Sequence, residues 1–238
     1  MPRFYIEAEL AVDTQIELTE TVFHHWCKVL RAQVGDQATL FNGQGGEYNV
    51  ELTEVSKKSA TVQVSTFNPS DRTPAIRTLL GQVMSKGDRM DYAIQKAVEL
   101  GVSEIQLLTS ERCEMRLKYD RDQKKLDHWK GIAIAACEQC GMNIVPKILA
   151  PLSLEKWLAS ELPETKLVLA PNKDETSPLS NAKANIALLI GPEGGLSETE
   201  IQTANEVGFV NWCIGERVLR TETAPVVALA ILNYSVRP

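Results

Sequence analysis

Histidine and cysteine are scarce, and their shortage removes several chemistries at the outset. The chain has 238 residues, with three histidines and five cysteines. Five is an odd number, and Cys27, Cys113, Cys137, Cys140 and Cys213 are scattered, so no disulfide framework is expected. Cys137 and Cys140 form a lone C-x-x-C inside a helical pattern. A zinc site needs a second pair of ligands, so buried structural cysteines are expected. His24 and His25 are adjacent and would project about 100° apart on a helix. With His128 the only other histidine, no metal is expected. Long apolar runs are missing too. The longest, Ala224–Leu232, contains Pro225 and falls far short of the roughly 18 residues of a membrane span. Met1–Glu7 has neither the apolar core nor the cleavage site of a secretory signal, so a cytoplasmic protein is expected.

Positive charge is also lacking overall. The net charge is −6, which does not advertise a nucleic-acid binder. Its distribution says more than the total. Arg112–Lys130 carries seven cations (Arg112, Arg116, Lys118, Arg121, Lys124, Lys125, Lys130) against four acids. Two readings are open: a solvated helix face of mixed charge, or a surface for phosphates, which respond to local cations rather than net charge.

What is present divides into two parts. Phe67–Pro74 holds two prolines and several turn formers and reads as a linker, which sets domains at 1–70 and 71–238. Before it lie strand-like pieces at Arg3–Ile6, Ala38–Phe41, Tyr48–Leu52 and Ala60–Val64. Gly43-Gln44-Gly45-Gly46 supplies a hairpin turn between the middle two. One helix is expected after Thr19, with Val22, Trp26, Val29 and Leu30 on its inner face. A small β-barrel fits. After the linker, strand and helix alternate, and short apolar runs typify buried parallel strands: Thr78–Met84, Glu104–Thr109, Val145–Leu149, Lys166–Ala170, Ile186–Ile190 and Val210–Ile214. Helices are expected at Asp88–Leu100, Asp122–Cys140 and after Ser197. The class is α/β.

The chemistry is expected at three corners where strands end, since ligands of open α/β sheets bind at the carboxyl ends of strands. Strand Ile186–Ile190 enters Gly191-Pro192-Glu193-Gly194-Gly195, and Ser197 with Glu200 then makes a capping box. The glycine spacing is not G-x-G-x-x-G, and no Lys-Ser/Thr pair follows, so neither a dinucleotide fingerprint nor a P-loop is present. Either a ligand-binding turn or a merely tight connection satisfies the glycines. The second corner is Ile214–Pro225, where Arg217, Arg220 and Glu222 crowd a short loop and Thr221 or Thr223 can cap the last helix. The third is Leu169-Ala170-Pro171-Asn172. No G-x-S-x-G elbow suggests a serine nucleophile.

These segments, taken in order, resemble the ribosomal RNA small subunit methyltransferase E family, of the SPOUT class of knotted methyltransferases. The resemblance covers nearly the whole chain. It runs through Pro2-Arg3-Phe4-Tyr5, His24-His25…Val29-Leu30-Arg31…Gly35-Asp36 and Phe41-Asn42-Gly43, then Lys86–Met90, Lys96–Val102, Glu138–Gly141 and Val145-Pro146. Most specific are Ile190–Ser197 and Leu219–Ala224. The resemblance implies a SPOUT-type parallel-sheet domain with a C-terminal trefoil knot, behind a PUA-like barrel that binds RNA. It implies a homodimer that uses S-adenosylmethionine to methylate N3 of a uridine in 16S rRNA. Cofactor contacts are then expected from Leu169, Ala170, Pro171, Gly191, Pro192, Glu193, Gly194, Gly195, Ile214, Gly215, Val218, Leu219 and Thr223. RNA contacts are expected from Arg3, His24, Arg31, Lys86, Arg89, Arg112, Lys124 and Lys125. Arg220 is expected to stabilise charge on the base, and Glu222 to take its proton. Two positions depart from the family pattern: Met142, where an Arg is usual, and Glu216, where a Pro is frequent. The rivals are ribose 2′-O-methylation of RNA and a non-catalytic assembly factor.

Overall fold

A computed structural model describes residues 1–115, 119–170, 179 and 184–235, with backbone alone at 119–122. It falls into two compact units. Unit 1 is Met1–Thr73 with Cys137–Val145, and unit 2 is Pro74–Ala136 with Pro146–Pro238. The first unit therefore takes in a stretch from far along the chain, beyond a single cut near residue 70.

Unit 1 is a five-stranded sheet. β1 (Arg3–Tyr5) pairs parallel with β3 (Gln37–Phe41); β3, β4 (Glu47–Val55), β5 (Ala60–Asn68) and β2 (Gln15–Glu17) follow antiparallel. Alternate residues Val50, Leu52, Val62 and Val64 turn inward against Phe4, Leu40 and Trp26. β2 was not anticipated; three residues are too few to show a period. β5 runs through Phe67 and Asn68, which the sequence reading gave to the linker. Cross-strand partners hold them there: the Phe67 ring lies 4.8 Å from Tyr48, and Asn68 donates to Glu47 at 3.0 Å. The expected helix also differs. α1 (Glu20–Phe23) is a single turn, and His24–Val29 then winds as a π-helix. The wider winding buries Val22, Phe23, Trp26 and Cys27, and it leaves Val29 and Leu30 exposed rather than inward. Thr19 sits at the N-cap, but its side chain makes no capping bond.

Unit 2 is a six-stranded, all-parallel sheet in the order β11-β9-β10-β6-β7-β8. The strands are β6 (Arg77–Val83), β7 (Glu104–Thr109), β8 (Lys147–Ser153), β9 (Thr165–Leu169), β10 (Asn185–Ile190) and β11 (Val210–Trp212). The chain starts centrally at β6 and moves outward to β8. It then crosses to β9 and returns to place β10 beside β6. Such a reversal opens a crevice at the carboxyl ends of the strands. Ile186–Ile190 is buried throughout, as a central parallel strand must be.

The helices follow from local signals. α2 (Asp88–Glu99) buries Met90, Ala93, Ile94, Ala97 and Val98, and Gly101 ends it at φ +76°. Asn233 of α6 (Ala224–Ser235) donates to the Leu100 carbonyl at 2.6 Å and satisfies that helix end. In α3 (Tyr119–Cys140), His128 and Trp129 both reach Asp91 of α2, at 2.8 and 3.0 Å. α4 (Leu154–Leu158), capped by Ser153, is too short to have shown a period. α5 (Glu198–Glu206) begins with the expected capping box of Ser197 and Glu200. Among the described residues, no helix is long and apolar enough to cross a membrane.

Gly81, in mid-strand of β6, is required by packing. A Cβ there would overlap the indole of Trp157, which is itself 2% exposed. Neither a rigid buried indole nor a central strand can yield. Gly81→Ala is therefore expected to destabilise the protein by about 1–3 kcal/mol through overpacking. A urea midpoint unchanged from wild type would show that the space is not filled.

Candidate functional site

The three corners of the sequence reading meet at one cavity of about 630 Å³, within unit 2 at the carboxyl ends of β9, β10 and β11. That volume suits a nucleoside-sized ligand. Of the expected cofactor contacts, Leu169, Ala170, Gly191, Pro192, Glu193, Gly194, Gly195, Ile214, Gly215, Val218 and Leu219 line it. Pro171 lies outside the described residues. Thr223 is not on the wall, nor are Arg220 and Glu222.

The glycine turn is shaped by close backbone approach. A Cβ on Gly191 would lie 3.0 Å from Leu196 Cγ and 3.1 Å from its amide nitrogen. Gly195 has φ +68°, and its N–H closes the turn on the Pro192 carbonyl at 2.9 Å. Ser197 and Glu200 then exchange capping bonds of 2.9 and 3.2 Å. Glu200 also accepts the Glu111 N–H at 2.8 Å, which brings the loop after β7 to the same place.

That loop brings Arg112, expected as an RNA contact, to the cavity wall. Arg112 lines the cavity and donates to the Gly194 carbonyl at 3.1 Å. Trp212, Leu196 and Ile201 line it as well. Each also fits an ordinary core role, so periodicity could not single them out. Thr221 lies on the wall and donates to the Gly191 carbonyl at 2.7 Å, while accepting from Gln82 at 3.1 Å. Gln82 was missed; a lone polar residue in an apolar strand was its only signal.

Three of the expected RNA contacts, Lys86, Arg89 and Arg112, gather around the turn. Arg89 pairs with Glu193 at 3.2 Å, the Lys86 N–H reaches the same carboxylate at 3.4 Å, and the Lys86 ammonium pairs with Glu114 at 2.7 Å. Such exposed pairs are screened by solvent and weak, so phosphates can replace these carboxylates at little cost. Lys124 is exposed on α3, and the half-buried Lys125 lies 3.5 Å from Met115 sulfur. In unit 1, His24 is exposed, and Arg31 is exposed with a left-handed backbone at φ +58°.

Arg3 is committed internally instead. Its guanidinium pairs with Glu47, donates to Asn143 at 2.7 Å and to the Met142 carbonyl at 3.4 Å, and lies over the Phe41 ring. Glu138 accepts the Tyr5 N–H at 2.9 Å, and Arg72 donates to the Gly141 carbonyl at 2.9 Å. The Glu138–Gly141 segment thus fastens unit 1 together. Met142 is buried here, 5% exposed, where a phosphate-seeking Arg would have no place. Cys137 is fully buried, and burial pushes its thiol up to about 12, so it stays protonated and inert. Cys213 is exposed on the cavity wall, donating to the Gly215 carbonyl at 3.1 Å.

Arg220 and Glu222 flank Thr221. The Arg220 side chain is 79% exposed and lies 3.9 Å from Glu222, whose side chain is 14% exposed. Glu222 Oε2 is buried and has no hydrogen-bond partner among the described residues. A buried carboxylate oxygen held without a donor is costly and rare away from a working site.

Comparison with known proteins agrees with the class this architecture defines, an RNA methyltransferase. A family described as RNA methyltransferase domain matches residues 72–233, and one described as RNA methyltransferase PUA domain matches 18–65. The chain belongs to the ribosomal RNA small subunit methyltransferase E family. The member from Buchnera aphidicola subsp. Schizaphis graminum is 36% identical, over 98% of this chain and 96% of its own. The Bacillus subtilis member is 31% identical, over 98% and 96%. Among solved structures, the Neisseria gonorrhoeae member bound to S-adenosyl methionine is 37% identical, with TM-score 0.91 over 98% and 97% of the two chains. A Legionella pneumophila methyltransferase with bound cofactor SAM is 36% identical, with TM-score 0.93 over the same shares.

The Arg3 cluster makes unit 1 sensitive to acid. Burial pushes the Glu47 carboxyl up, but hydrogen bonds and charge from Arg3 and Arg72 outweigh it and hold the group below its usual value. A lowered folded value contributes stability above the unfolded carboxylate range that is lost as pH falls through the folded value. Glu138 works the other way, raised chiefly by burial, so its ionisation costs stability as pH rises. Between about pH 5 and pH 3, wild type should lose more stability than Glu47→Gln. Parallel curves of urea midpoint against pH would remove Glu47 from the account.

Proposed function

We propose that this chain transfers a methyl group from S-adenosylmethionine to N3 of a uridine in 16S rRNA of the small ribosomal subunit. The observation that carries the reading is the convergence of three glycine- and loop-rich corners on a single nucleoside-sized cavity, with Glu222 one residue beyond the wall residue Thr221. The cofactor fits the lining: open backbone at Gly194, apolar surface from Leu196, Ile201 and Trp212, and the main chain of Leu169-Ala170 and Ile214–Leu219. When bound, the cofactor supplies an electrophilic methyl on a sulfonium.

The protein's own work is alignment and proton handling. Glu222 takes the N3 proton; its unpartnered oxygen is free to accept it. Arg220 meets the negative charge that develops on the uracil carbonyls. The base must leave its stack to enter the cavity. Lys86, Arg89 and Arg112 at the rim, with Lys124 and Lys125 on α3, meet phosphates. His24 and Arg31 extend the RNA surface on unit 1, the PUA-like unit, while Arg3 serves that unit's interior. The path of the C-terminal chain supports a trefoil knot. It leaves the edge strand β11, reaches Gly191 and Gln82 at the ends of β10 and β6 through Thr221, and then packs α6 on α2. We further propose a homodimer working in the cytoplasm.

Gly194 gives the clean test. Its backbone is not left-handed, and a Cβ there would meet Arg112 at an ordinary 3.6 Å, so the fold should accept a side chain that the cavity cannot. Gly194→Val is expected to abolish S-adenosylmethionine binding by calorimetry with an unchanged circular dichroism spectrum. Retained affinity would take the turn out of the site. Labelled cofactor with small ribosomal subunits, followed by mass spectrometry of digested rRNA, should give a methylated uracil. A ribose product would replace this reading with 2′-O-methylation, and no product would leave a binding factor.

A further inference from the structure

Gln82 is the least expected side chain in the central sheet. It is polar, 1% exposed, and lies on β6 directly beside Ile190 of β10, in the middle of six parallel strands. Its amide nitrogen donates to the Val83 carbonyl at 3.1 Å and to Thr221 Oγ1 at 3.1 Å. Its amide oxygen is buried with no partner among the described residues. An apolar residue would avoid the cost of burying a polar group without a partner. The expense implies a use.

The use lies one bond further on. Because Gln82 occupies one lone pair of Thr221 Oγ1 as donor, the hydroxyl proton is turned toward the Gly191 carbonyl, 2.7 Å away. One directional chain thus runs from β6 through the last loop to the glycine turn. Thr221 stands between Arg220 and Glu222 in sequence. Fixing its side chain fixes the backbone from which both project.

We propose that Gln82 and Thr221 are positioning residues, forming a relay that sets how Arg220 and Glu222 face the cofactor cavity. The inference rests on the methyltransferase reading above. It assigns a catalytic consequence to a residue that does not itself line the cavity. Removing the Gln82 amide leaves Thr221 able to bond Gly191, so cofactor binding survives; what is lost is the fixed rotamer that aims its neighbours.

Gln82→Leu removes both the donor and the orphaned oxygen, so the fold should hold. It is expected to lower kcat at least about tenfold while the Kd for S-adenosylmethionine changes less than about threefold. Thr221→Val, nearly isosteric, should lower kcat more. Thr221→Ser should recover most of the activity. The double variant should be no slower than Thr221→Val alone, since one residue acts through the other. A folded Gln82→Leu protein with kcat within about twofold of wild type overturns the proposal, as does equal activity in Thr221→Val and Thr221→Ser. If Gln82→Leu does not fold, the two Thr221 variants decide. A wild type that transfers no methyl group sinks the functional reading and this one with it; an active wild type with an indifferent Gln82 sinks this one alone.

Discussion

The site depends on β10 lying between β9 and β6. That placement makes β10 central and apolar from Ile186 on, and it sends the chain out of the sheet at Gly191 with strands on both sides. The turn leaving there is crowded at Gly191 and left-handed at Gly195, and a capped helix follows at once. The same constraint brings the ends of β9 and β11 alongside. The cavity is thus a property of strand order, and its walls are chain segments that have no other place to go.

Charge at the site is organised by distance from water. On the rim, Lys86, Arg89 and Arg112 have exposed partners that hold them weakly, so an anionic backbone can compete for them. In unit 1, Arg3 and Glu47 are largely enclosed, and Asn143 and Arg72 add further bonds to the pair. Separating such a pair would strand a charge in a poorly solvated place. Two arginines with equal claims on paper therefore do different work, because one is surrounded and the other is not.

Much of this was legible in advance. The strands of unit 2 show as apolar runs because both faces are covered, and the Ser197–Glu200 capping box shows because its bonds are local. The three corners show because ligand sites of parallel sheets sit at strand ends. What stayed hidden depends on neighbours distant in sequence. Phe67 and Asn68 look like linker until Tyr48 and Glu47 stand opposite them. Val29 and Leu30 look inward-facing until a π-helix rotates them outward. Trp212 and Gln82 join the site only through folded geometry, and a regular apolar pattern contains no trace of it.

The discontinuous make-up of unit 1 has a bearing on how the protein is made. β1 needs the Glu138 carboxylate for the Tyr5 N–H, and Arg3 and Arg72 need acceptors at Met142, Asn143 and Gly141. During synthesis these arrive only after β6, β7 and most of α3 have been made. The amino-terminal sheet must therefore wait, incompletely bonded, for a segment made about 70 residues later. A fragment cut at the apparent linker would lack that segment for good.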